Sequence, residues 1–580
     1  MRSPSAESRS IARAAGVVGG LTLMSRVAGL VRDAVVGYYF GTGAAADAFF
    51  VAFRVPNLLR RFVAEGAMSV AFIPVFSEYL ATRSRRTVAE AASALATTMV
   101  AGLAVLTTAG VWLAPWWTAL FAPGFLDDPE KFALTVKLTR LIFPYVFFVS
   151  VTALLSGLLN SLRHFAAPAF APVVLNLAII AAAVVLTPFL AVPVTALAYG
   201  VILGGMLQLA LQLPPLWRRG MRLVPRWQPG HEVVRRSLGL MAPMVFGAAV
   251  YQINIMVSTV LASLLPSGSV SYLWYADRVF EFPLGIFAAA LGTAALPSFS
   301  TQAARGAHDE LRQSLAFSIR TCNAIVIPAA VGIIVLATPI TAVLFQRGAF
   351  GAEPVRLTAQ ALAAFALGLW SVSMVRLVVP AFYAMHDTRT PVITAGVAFL
   401  ANIVASILLM GPVVGAGKSS IGDTIAALTR LIAVVGLRHT GLALATSISA
   451  SVNLICLATV LQRRLGSLRG MGIAPSFLRS LVASLAMIPA VNVIVHRVNW
   501  SETHGVAHAS ALLAAIVAGV VVYGLTITLA GGEEAHVLVS VLRQRLPWST
   551  TAIPRRQEES IPNDSGDETS AVRPRTQDGH

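Results

Sequence analysis

Hydrophobic positions in this chain fall in long runs, without the alternation or narrow stripes of a soluble domain. A spanning helix needs about 20 residues. Cutting the runs at polar breaks predicts fourteen spans, near 14–40, 46–80, 88–118, 133–161, 169–190, 193–216, 236–265, 270–300, 314–345, 356–384, 390–412, 440–461, 475–498 and 507–530. The first two are interrupted by charges. The expected fold is an all-α polytopic membrane protein. Arg2, Arg9 and Arg13 precede the apolar stretch Ala14 to Met24, as in a signal peptide. No small-x-small site closes it, and Ser25-Arg26 follows, so a retained first helix is expected. Beyond Leu546 the chain is polar and Pro-rich and lacks the apolar content to fold.

Composition agrees. Of 580 residues, 56% are hydrophobic and 12% charged, and mean hydropathy is +0.75. An ordinary globular chain carries about 25% charged residues. The net charge of +17 does not imply nucleic acid, because the basic residues punctuate apolar runs and form no compact domain. Such a balance suits loops facing anionic lipid. Cys322 and Cys456 lie in separate apolar runs and suggest neither a disulfide framework nor a metal knuckle.

Arginine placement orients the chain. One set of loops is rich: Arg83, Arg85 and Arg86; Arg218, Arg219, Arg222 and Arg226; Arg463, Arg464 and Arg469. The alternating set, including Gly41 to Ala45 and Pro266 to Ser269, is poor. Both ends are therefore expected in the cytoplasm. The chain also repeats itself. Ala52-Phe53-Arg54 returns as Ala276-Asp277-Arg278 at an offset of 224, and Pro74-Val75-Phe76-Ser77 as Pro297-Ser298-Phe299-Ser300 at 223. Parallel repeats of six helices with a site between them are a transporter architecture. The expected organisation is a cytoplasmic tail 1–13, a six-helix lobe 14–218 and a basic linker 219–235. A second lobe follows at 236–465, with an outer insertion about 413–437. Two further helices lie within 466–546, before a disordered tail 547–580.

The candidate chemistry is charge inside the spans. Arg26, Arg32 and Asp33 lie in the first; Asp47, Arg54, Arg60, Arg61 and Glu65 in the second, with Asn57; Asp277, Arg278 and Glu281 in the eighth. Each charge costs about 2.5–3.5 kcal/mol at a helix centre on insertion scales, so these groups must face each other, water or a ligand. Asp47, Arg54 and Arg61 are seven apart and share a face. Pro56-Asn57 predicts a break in that helix. Arginine suits phosphate bidentately, so an anionic, phosphorylated headgroup is one reading. Arginine–carboxylate pairing that only locks helices together is the other.

At these residues the chain resembles the MurJ/MviN family. The resemblance runs through Ser25-Arg26-Val27-Ala28-Gly29-Leu30-Val31-Arg32-Asp33, then Ala46-Asp47-Ala48-Phe49-Phe50-Val51-Ala52-Phe53-Arg54-Val55-Pro56-Asn57-Leu58-Leu59-Arg60-Arg61. It resumes at Tyr275-Ala276-Asp277-Arg278-Val279-Phe280-Glu281-Phe282-Pro283. Members are lipid II flippases of the multidrug/oligosaccharidyl-lipid/polysaccharide exporter superfamily. The resemblance implies fourteen helices, two lobes flanking a cationic cavity, and two C-terminal helices forming a groove for the polyprenyl tail. It implies lipid II (undecaprenyl-diphosphate-linked muropeptide) as partner, in a bacterial inner membrane. Arg26, Arg32, Arg60 and Arg278 become the substrate-binding arginines, with Asp33, Asp47, Arg54, Asn57, Arg61, Glu65, Asp277 and Glu281 as the surrounding charge network. Asp387-Thr388-Arg389-Thr390-Pro391, followed by Asn402, resembles a second-lobe signature of the superfamily. The seventh helix offers Gln252, Asn254 and Ser258 but no acid, so no cofactor is expected and sodium is unsupported.

Other functions fit less well. Gly415-Ala416-Gly417-Lys418-Ser419 resembles a phosphate loop, but Pro412 stands where the first glycine belongs. His504 and His508 have metal spacing, but Gly505 replaces the glutamate of the catalytic pattern. A membrane enzyme acting on polyprenyl phosphates would need a dense acidic pair or a nucleophile–base pair, which is not found. A sister exporter of another polyprenyl-diphosphate glycan, or of a drug, is the alternative. The expectation is an alternating-access flippase and no enzyme; oligomeric state is open.

Overall fold

The computed structural model describes residues 6–60, 68–285, 289–413, 420–500 and 505–531, with side chains for 16–58, 74–240, 252–285, 291–413, 422–500 and 505–531. Among the described residues the elements are helices and 3-10 turns, with no strand. The first part of the chain holds α1 Ala6–Phe40, α2 Ala44–Arg60, α3 Met68–Thr82, α4 Arg85–Trp112, α5 Ala114–Phe121, α6 Pro129–Ile142, α7 Tyr145–Ser161, α8 Ala166–Leu186 and α9 Thr195–Arg218. The second part holds α10 Glu232–Ser263, α11 Ser269–Pro283, α12 Ala289–Ala304, α13 His308–Val335, α14 Ala337–Phe345, α15 Ala352–Leu367, α16 Leu369–Ala384, α17 Arg389–Met410, α18 Ser420–Ile432 and α19 Arg438–Leu465. The last helices are α20 Ile473–Val495 and α21 Gly505–Leu529.

Each expected span coincides with one described helix or with two consecutive ones. Breaks sit where the chain cannot continue a regular ladder. Pro115 opens α5, Pro144 caps α7, and α15 and α16 bend by 43° at Gly368. Among the described residues nine spans are long and apolar enough to cross a membrane, or ten if the bent pair counts as one. The order of elements repeats: a long helix, three broken pairs and two long helices describe both α1–α9 and α10–α19, α18 aside.

Small residues let helices approach closely. A Cβ at Gly200 of α9 would stand 2.8 Å from Ile179 Cα of α8, and one at Gly204 would stand 2.7 Å from Leu175. In lipid, where apolar burial gives helices no preference for one another, such packing is what holds them. Large apolar side chains remain exposed around the outside, among them Val105, Phe189, Val520 and Leu529, as a lipid-facing surface requires.

One expectation is corrected. α2 runs unbroken through Pro56 to Arg60. The packing of Phe49, Phe50 and Phe53 holds it, and membrane helices tolerate an interior proline where neighbours re-satisfy the freed carbonyl. The 413–437 insertion has structure of its own. It contains α18, docked through Ala426 and Thr429, whose hydroxyl accepts from Val413 N at 3.1 Å. Segment 219–231 lies against α4, with Arg226 N on Thr97 Oγ1 at 2.8 Å and Arg226 paired to Glu90 at 3.1 Å. The tail beyond 531 lies outside the described residues.

Candidate functional site

The two parts of the chain meet in a seam at the arginine-poor end of the bundle. Asp47, one turn into α2, is 1% exposed. Its Oδ2 accepts from Lys131 Nζ at 2.9 Å and from Gly268 N at 2.7 Å. Its Oδ1 accepts from Ser271 N at 2.9 Å and Ser271 Oγ at 2.6 Å. Gly268 and Ser271 belong to the start of α11, whose unpaired amides favour an anion. Lys131 Nζ also donates to Ser267 at 3.2 Å. Beside this lock the backbones touch. Ala349 N donates to Tyr38 O at 2.8 Å, and Tyr275 Oη donates to Gly41 O at 3.2 Å. Gly41 has φ +58° and a Cβ there would lie 2.6 Å from Ala349 O; Gly268 has φ +97° and its Cβ would lie 2.8 Å from Thr42 O. No other residue fits either position without strain.

Beneath the seam lies an aromatic layer. Phe50 stacks on Trp274 at 4.7 Å and meets Tyr275 edge-on at 5.3 Å, and Tyr275 continues to Phe345 and Phe350 at 5.0 and 5.2 Å. The charged cavity lies on the far side of this layer. Its walls include Arg54, Asn57, Gln252, Asn254, Ser258, Trp274, Asp277, Arg278 and Glu281. Helical spacing explains the set: on α11 Asp277 and Arg278 lie three and four residues after Trp274, and four and three before Glu281.

The arginines differ in availability. Arg32 is buried, with Nε and Nη2 on Asp33 Oδ1 at 3.0 and 2.7 Å and Nη1 on Asn176 Oδ1 at 3.1 Å. It braces α1 against α8. Arg278 pairs with Asp33 Oδ2 at 3.2 Å, at an angle outside hydrogen-bond range, and with Glu281 at 3.4 Å. Asp33 therefore links an arginine from each part of the chain. Arg54 donates to Thr259 Oγ1, and both Arg54 and Arg278 lie over the Trp274 ring. Arg26 is exposed and lays its guanidinium on Gly285, where a Cβ would stand 1.8 Å from its Nη1. Asp47 belongs to the seam, two turns from the cavity. The Arg60 side chain, Arg61 and Glu65 lie outside the described residues. The described cavity wall thus carries two arginines and two acids, and Arg26 adds a positive group beside it.

Sequence reasoning missed Lys131, Asn176, Trp274 and Gly285. Lys131 was readable only as a loop charge; its partner lies 84 positions away. Asp387 caps α17, accepting from Arg389 N and Thr390 N at 3.0 Å each and Thr390 Oγ1 at 2.6 Å, with Arg464 at 2.9 Å. The Thr390 hydroxyl, then its amide and the Arg464 charge, hold the Asp387 carboxyl below its usual range. Asn402 on α17 is fully buried with neither amide atom hydrogen-bonded. His508 bonds Asn499 O at 3.0 Å; His504 and the Gly415–Ser419 motif lie outside the described residues. Among the described residues no three His, Cys, Asp or Glu side chains group to hold a metal ion.

A helical membrane bundle whose two similarly ordered parts flank a charged cavity has the architecture of a transporter. The family profile described as Lipid II flippase MurJ matches residues 36–515. The Burkholderia cenocepacia protein named Lipid II flippase MurJ is 40% identical over 436 residues, covering 74% of this chain and 84% of that one. The Haemophilus influenzae protein named Probable lipid II flippase MurJ is 34% identical over 533 residues, covering 89% and 99%. A solved structure titled Lipid II flippase MurJ, inward closed conformation, is 25% identical with a TM-score of 0.71, covering 88% of this chain and 98% of that one. An inward-facing multidrug resistance MATE family transporter, 13% identical with a TM-score of 0.58 over 78% of this chain and 98% of its own, shares the fold. The chain belongs to the lipid II flippase MurJ family, a family of transporters and not of enzymes.

Proposed function

We propose that this protein carries lipid II from the cytoplasmic to the outer face of the bacterial inner membrane, for cell wall synthesis, by alternating access. Family membership over residues 36–515 carries the reading. The charged cavity between the two parts of the chain supports it. In this reading there are fourteen spans, with the six broken pairs counted as one span each and α18 lying on the outer surface. Residues 14–218 and 236–465 act as two lobes, and α20 and α21 guide the polyprenyl tail. The arginine-rich ends face the cytoplasm, so the Asp47 seam is the outer gate. Arg26, Arg60 and Arg278 engage the diphosphate and sugars. Arg32 and Asp33 brace the wall and link it to Arg278. Exchange of the Asp33–Arg278 pair for a ligand phosphate would couple binding to lobe movement. The cycle uses no bound cofactor.

The test is complementation of a strain depleted of its own lipid II flippase, with lipid II exposure on the outer face measured at matched protein levels. Growth and exposure are expected to recover together. Growth without exposed lipid II, or neither with normal membrane insertion, defeats the reading.

A further inference from the structure

Trp274 stands one turn before Arg278 on α11, lines the cavity and is 6% exposed. Two guanidinium groups lie over its ring: Cζ of Arg278 at 4.8 Å from the centre and Cζ of Arg54 at 5.4 Å. One comes from each part of the chain. The indole is held by Phe50, stacked at 4.7 Å and 20°, and by Phe53, edge-on at 6.2 Å. Its N–H is buried with no hydrogen-bond partner. A buried donor without an acceptor opposes folding, a cost that an apolar side chain at this position would not carry. What tryptophan supplies in exchange is the most electron-rich ring face for a cation.

We propose that Trp274 is a positioning residue of the anion site. It gathers Arg54 and Arg278 on one aromatic surface so that the cavity recognises a diphosphate in preference to a single phosphate. The proposal rests on the lipid-diphosphate reading above and deepens it. A guanidinium presents a planar fork to one phosphoryl group. Two forks gathered from opposite lobes engage both phosphoryls of a diphosphate at once, whereas a monophosphate occupies one. Glu281 holds Arg278 from its own helix and Asp33 from the other part of the chain, and Thr259 steadies Arg54. The indole is a surface the two share, so it sets how they stand relative to each other.

The experiment uses the full-length purified protein, with farnesyl diphosphate and farnesyl monophosphate as probes in calorimetric titration. The parent is expected to prefer the diphosphate. Trp274→Phe keeps a ring and should retain that preference within about 3-fold. Trp274→Leu removes the ring and should lose roughly 10-fold of diphosphate affinity, with monophosphate affinity little changed, in the range a cation–π contact supports. The unfolding temperature should fall further in Trp274→Leu than in Trp274→Phe, since the smaller side chain leaves a cavity beside Phe50 and Phe53, and affinities are compared below both transitions. Arg54→Gln leaves the indole in place and should give the same selective loss, which keeps the test decisive if Trp274→Leu fails to fold. Unchanged diphosphate preference in Trp274→Leu or in Arg54→Gln overturns the proposal and leaves the ring as a filler. If the parent binds neither probe, or both equally, the diphosphate reading itself falls and takes the proposal with it.

Discussion

Asp47→Asn tests the seam. The parent carboxylate accepts four hydrogen bonds, three of them from Gly268 and Ser271 across the seam and one from Lys131 on its own side. Asparagine keeps the shape but turns an NH2 toward Gly268 N–H and the Lys131 ammonium, so donors meet donors. Removing one partner of a buried ion pair costs about 3–5 kcal/mol. The Lys131 contact lies within α2 and α6 and survives opening, so part of that cost falls on both states. The cross-seam share, from bonds to a charged acceptor worth about 1.5–3 kcal/mol each, leaves roughly 3 kcal/mol against the closed state. That is about a hundredfold in the equilibrium. A seam closed 99 times in 100 would then stand near even. Spin labels at Gly43 and Gly351, both exposed with open space at Cβ, report the separation by pulsed electron resonance. The parent should give one short distance; Asp47→Asn should add a longer population approaching half, with lipid II exposure reduced because the gate no longer reseals. A single parental distance together with lost transport would refute the argument and move Asp47 from the gate to the ligand.

Other outcomes follow from single contacts. Gly285→Ala should displace the Arg26 guanidinium with little change in stability, since the clash is with the far end of a flexible side chain; transport should fall about as far as in Arg26→Ala, and the double variant should be no worse, additive losses counting against it. Asn402→Leu removes two unpartnered buried amide atoms and should raise the unfolding temperature by a few degrees, by about 1–2 kcal/mol; a lowered temperature, or sodium-dependent stability in the parent alone, argues for a bound ligand there. Asp387 has its folded-state pKa depressed, so its contribution is present above the ordinary carboxylate range and is lost as pH falls through the folded value. Asp387→Asn should therefore lower the unfolding temperature at pH 7, and the difference should close below about pH 4; a difference that persists in acid removes the charge from the explanation.

Helices were legible because spans in lipid must be long and apolar, and Pro115, Pro144 and Gly368 mark their breaks. The in-span charges were legible as a group, since each is costly alone. Their sorting was not. Asp47 and Arg54 share a helical stripe, yet one meets α11's amides in the gate and the other reaches Trp274 in the cavity. That difference depends on where α11 starts relative to α2, a tertiary fact. Arg32 and Arg278 read alike as candidate ligands, and only the position of Asn176, 144 residues from Arg32, shows that Arg32 is held between α1 and α8. Trp274 and Gly285 carry no charge and gave no signal. In the 413–437 insertion, Ile421, Ile425, Leu428 and Ile432 stand at helical spacing, the residue pattern behind α18.

The seam has a bearing on inhibition. Its close approaches include main chain against main chain, at Gly41 with Ala349, at Gly348 with Tyr38 and at Gly268 with Thr42. A compound that wedged into the open form of these surfaces would touch atoms that every amino acid carries. Resistance usually arises by adding bulk to the contact surface, yet bulk at Gly41 or Gly268 would strike a carbonyl and keep the carrier itself from closing. Escape from such a compound would have to come from more distant changes in the gate's equilibrium, and those changes would slow the cycle they protect.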